Sequence, residues 1–272
     1  MTGQIRWHPP YDFAAARPTF VDAWPQAWQD LAPISEIIRL DKEEMNALGS
    51  QIIGFSHWFK PASTKPLFNL GYRLDAAIDR LGRSCFIRLT SRSPKDSLHS
   101  LRKGMKVTNG KQALALLVEG SQRCAADCRM ALDSGLPLGI VVRQWIDFPA
   151  CAEFRCFMRD RCWVGASQAQ LLERTVFPMI AEHQAAIINA LQQSMERIIS
   201  TSPIQNAAFD WVALPSIALD SSSNLAILLD ANPLLDVTDL GLFSSFDDFD
   251  NTFRFYTSDG VAKLALSLSF ND

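Results

Sequence analysis

The 272-residue sequence lacks the features that mark membrane, secreted and nucleic-acid-binding proteins. It has no run of about 18 apolar residues, which argues against a membrane-spanning helix. Its first residues contain no basic stretch followed by an apolar stretch, so no signal peptide is expected. The net charge is −3 at pH 7, with both signs spread along the chain, whereas nucleic-acid binders carry a basic excess on one face. We expect a cytoplasmic protein without membrane or nucleic-acid partners.

Short catalytic motifs are missing as well. No two of the six cysteines have the C-x-x-C spacing of zinc or redox sites, and we expect most of them to be small apolar residues in a reducing compartment. Cys124 and Cys128 are spaced to share one face of a helix, where they could in principle bind a metal. The four histidines fit no G-x-S-x-G, H-E-x-x-H or Cys/His pattern. Without a Walker A or G-x-G-x-x-G motif, P-loop and Rossmann sites are excluded.

What the sequence does contain is a mixture of short strands and helices. Apolar residues make up 48% and charged residues 20% of the chain, the composition of a globular protein with one core or two smaller ones. Hairpins and helices without regular βαβ alternation favour an α+β fold with antiparallel sheet. Strands are predicted at 35–40, 85–89, 139–147, 154–158, 162–167, 207–214 and 225–231. Helices are predicted from an Asp41 cap to Gly49, at 70–81, at 110–132 with a weak point near Gly120, and at 181–199.

The strongest candidate for chemistry is a set of oxygen ligands on the last two predicted strands. Asp230 and Asn232 alternate along one strand and therefore point to the same face. With the intervening loop centred near Ser222, Asp210 on the preceding strand lies opposite or diagonal to Asn232. Few protein oxygens on a rigid sheet suit magnesium, whose other ligands are water and substrate phosphates. The alternative is a surface strand cap, and Pro215 implies a bulge or an edge strand that would alter the register.

A second candidate is the loop that follows the strand at 85–89, within the run FIRLTSRSPKD. Arg88, Arg92 and Lys95 bring three cations into one short segment with several hydroxyl groups. Such a loop could wrap a polyphosphate through point charges and bidentate arginine contacts. The alternative is an ordinary solvated loop of mixed charge.

A third candidate is the run GIVVRQWIDFP, followed by EFRCFM. An apolar strand that enters an exposed turn could present its backbone to the edge of a purine. Arg155 alternates with Phe154 and Cys156, so its side chain points away from their face and towards a possible cleft. A plain strand pair that carries a salt bridge is the alternative.

These three candidates, taken in order, resemble one family. FIRLTSRSPKD, then VVRQWIDFP with AEFRCFMRD, then FDWVAL with LLDANPLLDVTDLGLF are similar to three blocks of the cell division cycle protein 123 family. The resemblance covers about residues 30–250. The chain looks like a compact, prokaryotic-type member, because it lacks the long acidic insertions expected of eukaryotic ones.

That family is regarded as a divergent ATP-grasp clade. The resemblance therefore implies an α+β, ATP-grasp-like fold with two lobes, largely antiparallel sheets and a nucleotide cleft between the lobes. Residues 85–142 would form the lobe with the phosphate loop, and residues 143–272 the lobe with the hinge and the metal site. Residues 1–84 would be a helical and irregular region packed on this core.

The resemblance also implies a role for each candidate residue, with ATP and Mg²⁺ as ligands. Arg88 would stand in for the usual phosphate-gripping lysine, and the loop with Ser93 and Lys95 would cover the phosphates. The other implied contacts are Arg143, Gln144, Trp145 and Ile146 at the adenine hinge, the cation Arg155, and Asp210, Asp230 and Asn232 at magnesium. The sequence departs from the expected pattern at two places. Arg143-Gln144 stands where many ATP-grasp enzymes have an acidic hinge residue, and Ala231, between Asp230 and Asn232, stands where the family tends to have an aromatic residue.

Two functions follow from the resemblance. The first is an ATP-grasp ligase that transfers the γ-phosphoryl group to a carboxylate of a protein, peptide or small acid. Arg88 and Arg155 would then neutralise the charge that develops during transfer. The second is a non-catalytic, ATP-dependent assembly chaperone for a protein client, resembling the translation initiation factor 2 assembly factor of eukaryotes. A nucleic-acid ligase is disfavoured by the mild acidity of the chain.

Overall fold

The computed structural model describes residues 11–214, 225–236 and 238–266. The chain divides into two compact units, the first drawn from Met1–Asp22 and Ile34–Trp145, the second from Ala23–Pro33 and Ile146–Asp272. Within the described ranges, no helix has both the length and the apolar character needed to cross a bilayer. Each unit is built on one sheet.

The strands of the first unit are ordered β1-β4-β2-β3, and those of the second β10-β9-β6-β5-β7-β8. Seven pairings between described strands are antiparallel, and one, β6 with β9, is parallel. The predicted α+β class with largely antiparallel sheets is therefore confirmed. The bounds are β1 Ser35–Arg39, β2 Cys85–Leu89, β3 Lys106–Val107, β4 Gly139–Gln144, β5 Glu153–Arg159, β6 Cys162–Gln168, β7 Ala207–Val212, β8 Ile227–Pro233, β9 Thr252–Thr257 and β10 Gly260–Ala265.

The helices are mostly short, and several of their ends differ from the predicted ones. Their bounds are α1 Phe13–Ala16, α2 Gln26–Gln29, α3 Lys42–Gln51, α4 Lys65–Arg80, α5 Leu98–Lys103, α6 Gly110–Val118, α7 Gln122–Ser134, α8 Pro178–Glu182 and α9 Gln184–Thr201. The sequence did not predict α1, α2, α5, β3, β9 or β10. The polar loop at 220–224 and Pro215 lie outside the described residues.

Helix α3 starts where the sequence predicted but ends later. Asp41 and Glu44 form a reciprocal capping box, with Asp41 accepting from the Glu44 N–H at 2.8 Å. Gly49 lies inside the helix, and the prediction that it ends the helix is wrong. A Cβ at Gly49 would lie 2.2 Å from the Phe59 ring. This glycine therefore provides space for an aromatic ring.

Two predicted helices are each divided in the structure. The segment 110–132 is split into α6 and α7 at Gly120, whose φ of +81° cannot continue a helix. Ser121 then caps α7 through the Cys124 N–H at 3.1 Å. The segment 181–199 is split at His183, where φ −111° and ψ 15° separate α8 from α9.

The four-stranded sheet separates apolar and cationic side chains onto its two faces. Ile87 of β2 is paired with Val142 of β4, and both join Leu74 of α4 in one buried cluster. Because side chains alternate along a strand, Arg88 and Arg143 lie on the other face. The cations predicted to meet a nucleotide therefore share the sheet face opposite the helical core, where both side chains are buried.

The six-stranded sheet shows the same division. Cys156 of β5 is paired with Phe209 of β7, and the Trp28 ring packs edge-on against Phe209 with centroids 5.2 Å apart. The alternate positions, Arg155 and Asp210, are paired on the opposite face. This second face carries the polar groups described next.

Candidate functional site

One row of paired residues crosses the whole six-stranded sheet and is polar at every strand. Directly paired residues in a sheet point to the same face, so these side chains form a continuous stripe. From β10 to β8 the row is Lys263, Arg254, Ser167, Arg155, Asp210 and Asp230. Five of its six members are charged, and the stripe contains the predicted Arg155, Asp210 and Asp230.

Arg155 and Asp210 form a bidentate ion pair at the centre of this row. The guanidinium Nε lies 2.6 Å from Oδ1 of Asp210, and Nη2 lies 2.9 Å from Oδ2. Burial alone would lower the pKa of Arg155, but the Asp210 carboxylate raises it well above the ordinary arginine value. The Arg155 guanidinium therefore keeps its charge, and it also donates to the Asp239 carbonyl at 3.1 Å.

Asn232 joins the same site from the edge strand. It is paired with Ala208, diagonal to Asp210, and donates its amide to Oδ2 of Asp210 at 3.3 Å. Asp230 faces Asp210 directly, and its Oδ1 accepts the Ala231 N–H at 2.9 Å. The ladder then shifts by one residue between Asp210 and Trp211. The structure thus brings together all three predicted metal ligands. Of the two predicted positions for Asn232, opposite or diagonal to Asp210, it occupies the diagonal one.

The segment after β8 is fastened over this face by Arg254. The Arg254 side chain is 3% exposed and donates to Asp248 at 2.8 and 3.0 Å and to the Leu242 carbonyl at 3.1 Å. Its guanidinium carbon lies 3.9 Å from the centroid of the Phe243 ring. That ring in turn covers Gly165, where a Cβ would lie 2.6 Å away. Arg254 therefore fixes the segment that runs from Asp239 past Arg155.

In the first unit, Arg88 shapes the turn at the start of the predicted phosphate loop. Its side chain is 1% exposed, and it donates to the carbonyl of Leu89 at 3.0 Å and to that of Ser91 at 2.9 Å. Ser93 is buried, whereas Lys95 is exposed and forms no ion pair with any described residue. The three predicted phosphate contacts therefore differ in environment, and Lys95 is the one directed to solvent.

A buried carboxylate that the sequence analysis missed holds this loop in place. Asp127 of α7 is fully buried and accepts hydrogen bonds from Ser91, from Arg92 and from the Tyr11 hydroxyl, the last at 3.2 Å. Burial, and then the Asp127 charge, raise the pKa of Tyr11 far above its usual range. Arg92, counted among the loop cations, is therefore committed to Asp127. At the other end of the loop, Asp96 accepts from Ser121 at 2.7 Å.

The predicted adenine hinge divides between the two units. Arg143, Gln144 and Trp145 belong to the first unit and Ile146 to the second. The Gln144 N–H donates to the Ile34 carbonyl at 2.8 Å. Trp145 stacks with Lys106 of β3, whose Nζ lies 5.5 Å from the ring centroid. Lys106 was not among the predicted residues, and it stands in the same row of the sheet as Arg143.

The missed residues left different signals in the sequence. Asp127 falls on the buried stripe of α7 together with Cys124 and Cys128, and an acid inside an apolar stripe indicates a buried partner. Arg254 lies between two phenylalanines on a strand that no pattern predicted, so its role was not visible.

The Cys124 and Cys128 pair gives no support to a metal site. Both thiols are buried in α7, and burial raises the pKa of Cys124 to about 12 and that of Cys128 well above its ordinary value. The thiolate form that binds metals is therefore disfavoured. Among the described residues, no three His, Cys, Asp or Glu side chains are grouped to hold a metal ion.

Comparison with solved structures assigns the fold. The structure of Cdc123 from Schizosaccharomyces pombe aligns with a TM-score of 0.67 at 21% identity, covering 84% of this chain and 88% of that one. At this identity the likeness shows a shared fold. The D123 family model matches residues 60–259. This chain belongs to the D123 family, the cell division cycle protein 123 family that the three motifs predicted.

Curated relatives agree with this family. Cell division cycle protein 123 of Phaeosphaeria nodorum is 28% identical over 187 residues, 63% of this chain and 45% of that protein. The translation initiation factor eIF2 assembly protein of Xenopus laevis is 28% identical over 192 residues, 66% of this chain and 54% of that protein. The chain thus spans about half the length of the curated relatives it matches.

Proposed function

We propose that this protein binds ATP with magnesium on an ATP-grasp-type site and uses the bound nucleotide in acting on a protein partner. The observation that carries the proposal is the set of Asp210, Asp230 and Asn232 on one sheet face, with Arg155 paired to Asp210 at 2.6 Å. Membership of the D123 family supports it, because these residues lie within the matched range, in two of the three runs that resemble the family.

The donor set fits magnesium. Two carboxylates and one amide stand on adjacent strands of a sheet, so their positions are fixed by the backbone ladder. Mg²⁺ is typically held by one or two carboxylates, with water and substrate phosphates as its other ligands. When held by these residues, the ion would supply positive charge that offsets the charge of the nucleotide phosphates.

Arg155 would set the charge of this site. Its bidentate contact neutralises Asp210, which lowers the repulsion between Asp210, Asp230 and a polyphosphate. In the other unit, Arg88 would orient the loop that carries Lys95, the exposed cation available to phosphate oxygens. The hinge residues Arg143 to Ile146 would meet the adenine.

For the role of the nucleotide we favour assembly of a protein complex in the cytoplasm. Relatives in Xenopus laevis and Sclerotinia sclerotiorum are named translation initiation factor eIF2 assembly proteins. The close pairing of Arg155 with Asp210 supports a binding role, because the guanidinium is already neutralised. Ligase chemistry is the second candidate, favoured by the position of an arginine in the row that contains the predicted metal ligands, where a cation can offset developing phosphoryl charge.

Calorimetry of ATP binding with and without magnesium tests the proposal. We expect magnesium-dependent binding that Asp230→Ala weakens by about 10–100-fold, the usual effect of removing a metal-supporting group. Asp259→Ala, an equal change of charge at the exposed β9–β10 turn, serves as the control and should bind as the wild type does. The proposed site would be contradicted if ATP bound equally well with and without magnesium. It would also be contradicted if Asp230→Ala and Asp259→Ala bound ATP with equal affinity.

Turnover separates the two roles. An assembly factor should form at most about one ADP per protein over hours, whereas a ligase should turn over repeatedly once an acceptor peptide with free carboxylates is added. The measurement is chromatographic quantification of ADP, with Asp230→Ala as the blank.

A further inference from the structure

A groove of about 600 Å³ opens on the second unit, on the same sheet face as Arg155. It lies between the segment 241–244, the β9–β10 hairpin and residues 174–176. Its lining residues are Arg174, Val176, Gly241, Leu242, Phe243, Ser244, Tyr256, Thr257, Ser258, Gly260 and Val261. All of them belong to one unit and are described by the structure, so the groove is a feature of that unit alone.

The lining combines apolar walls with a single charge. Val176 and Val261 are each 43% exposed, and with Tyr256 they offer apolar and aromatic contacts. Arg174 is the one charged residue among the lining residues, and its side chain forms no ion pair within the described chain. Its backbone has a φ of +51°, a conformation that non-glycine residues seldom adopt. The groove therefore presents an exposed cation beside an apolar surface.

One wall of the groove adjoins the polar row. The Leu242 N–H donates to the Ser167 hydroxyl at 3.1 Å, and the Gly241 backbone approaches that hydroxyl so closely that a Cβ would lie 2.6 Å from it. Ser167 is paired with Arg155. A ligand in the groove would thus lie one chain segment away from the proposed magnesium ligands.

The groove is continuous with an edge strand. Among the described strands none lies beyond β10 in the six-stranded sheet. In a two-residue hairpin the residues that close the turn are hydrogen-bonded to each other and pairs alternate from there. Thr257 and Gly260 close this turn, so the N–H and C=O groups of Val261, Lys263 and Ala265 point outward from the sheet. Lys263 is turned onto the sheet face, 3.4 Å from Asp250, and does not cover the edge.

The opposite edge of the sheet is less suited to adding a strand. β8 carries the register shift beside Asp210 and ends at Pro233, which has no N–H to donate. Bulges and prolines are devices that keep edge strands from pairing. The two edges therefore differ, and β10 is the one with regular, outward-facing backbone groups.

We propose that the groove and the outer edge of β10 bind an extended, acidic polypeptide segment. The segment adds as a strand to β10, its apolar side chains contact Tyr256 and Val261, and an acidic side chain pairs with Arg174. Main-chain pairing supplies affinity and side-chain pockets supply selectivity in this mode of recognition. The role of the segment, as client or acceptor, rests on the proposed function, because the groove lies beside the ATP site only if that site exists.

The test uses a seven-residue probe, acetyl-Thr-Val-Glu-Val-Glu-Val-Thr-amide, titrated into the ¹⁵N-labelled full chain. We expect shifts of the amides of Val261, Lys263 and Ala265. Arg174→Glu should weaken binding about tenfold at low salt, since charge reversal replaces attraction with repulsion. Its matched control is Arg161→Glu at the exposed β5–β6 turn, where the arginine also has a positive φ, +61°, and lies outside the groove.

A second pair of variants tests the backbone contact. Lys263→Pro removes one outward N–H while leaving the hydrogen bonds to β9, and should weaken binding at least about fivefold. Lys263→Ala keeps that N–H and loses only the ion pair to Asp250, so it should bind the probe as the wild type does.

Each result decides the proposal. Amide shifts at β10, together with losses confined to Arg174→Glu and Lys263→Pro, would establish the site. Shifts elsewhere, no binding at millimolar probe, or equal losses in the controls would overturn it. Calorimetry with ATP and magnesium on the same samples keeps the two proposals apart: if ATP binds but the probe does not, the groove proposal fails alone. If neither binds, both fail.

Discussion

The two units hold their functional loops with buried charges of opposite sign. In the first unit a buried anion, Asp127, gathers the donors Ser91, Arg92 and Tyr11 and so fixes the loop after β2. In the second a buried cation, Arg254, gathers Asp248 and the Leu242 carbonyl and so fixes the segment after β8. In both cases the loop is ordered by a charge that lies outside the motif it serves.

The partners of the two charges differ in their access to water. Of the partners of the fully buried Asp127, Ser91 is only 5% exposed and the Arg92 side chain is 26% exposed. Around Arg254, the partner side chains Asp248 and Asp250 are 29% and 40% exposed. Removing one member of a buried pair is costly mainly because the other is left unpaired, and that cost falls when the other can be rehydrated. The comparison therefore predicts that Asp127 matters more for stability than Arg254.

Replacing Asp127 should give the largest loss of stability. Asp127→Asn keeps the shape but leaves Arg92 without its counter-ion, and we expect the free energy of unfolding to fall by about 3–5 kcal/mol. Denaturant unfolding measures this change. The magnesium-dependent ATP affinity should fall as well, because the loop with Ser93 and Lys95 loses its anchor.

The control for Asp127 lies on the same helix. Asp133 makes an exposed ion pair with Arg129 at 2.6 Å, so Asp133→Asn should change the unfolding free energy by less than about 1 kcal/mol. If both variants lost a similar amount of unfolding free energy, the burial of Asp127 would not be what determines its contribution to stability.

Replacing Arg254 should reduce stability less than replacing Asp127 does. Arg254→Met keeps the contact with Phe243 but leaves Asp248 and Asp250 to water, and we expect a loss of about 1–3 kcal/mol. Lys263→Ala, which removes the exposed ion pair to Asp250, is the matched control and should cost less than about 1 kcal/mol. An Arg254 loss larger than that of Asp127→Asn would reverse the comparison.

The sequence was a good guide to the elements that carry the motifs. Strand β2 has its predicted bounds, the Asp41 capping box is present, and Asp210 stands beside Asn232. These features depend on alternation and on capping, which act within a few residues. The family was also predicted correctly, because three separated runs together are specific.

What the sequence could not supply are the contacts between distant segments. Asp127 is 35 residues from Arg92 and 116 from Tyr11 along the chain, so no local pattern joins them. Gly49 illustrates the same limit: it was interpreted as a helix end, but the structure uses it to make room for Phe59. The roles of the individual site residues stay predictions until nucleotide binding is measured.

The smallest expected effect is a pH dependence of stability that comes from Asp248, one of the partners of Arg254. Hydrogen bonds from Arg254 hold the pKa of Asp248 well below its usual range. A carboxyl whose pKa is depressed by folding stabilises the protein above its unfolded pKa, about 3.9, and the stabilisation is lost as the pH falls towards the folded pKa. The difference in unfolding free energy between wild type and Asp248→Asn should be constant from about pH 6 to 8 and shrink below about pH 4. In an Arg254→Met background the same substitution should produce a nearly constant difference, because the cause of the depression is gone; a difference that shrinks equally in both backgrounds would show that Arg254 is not its cause.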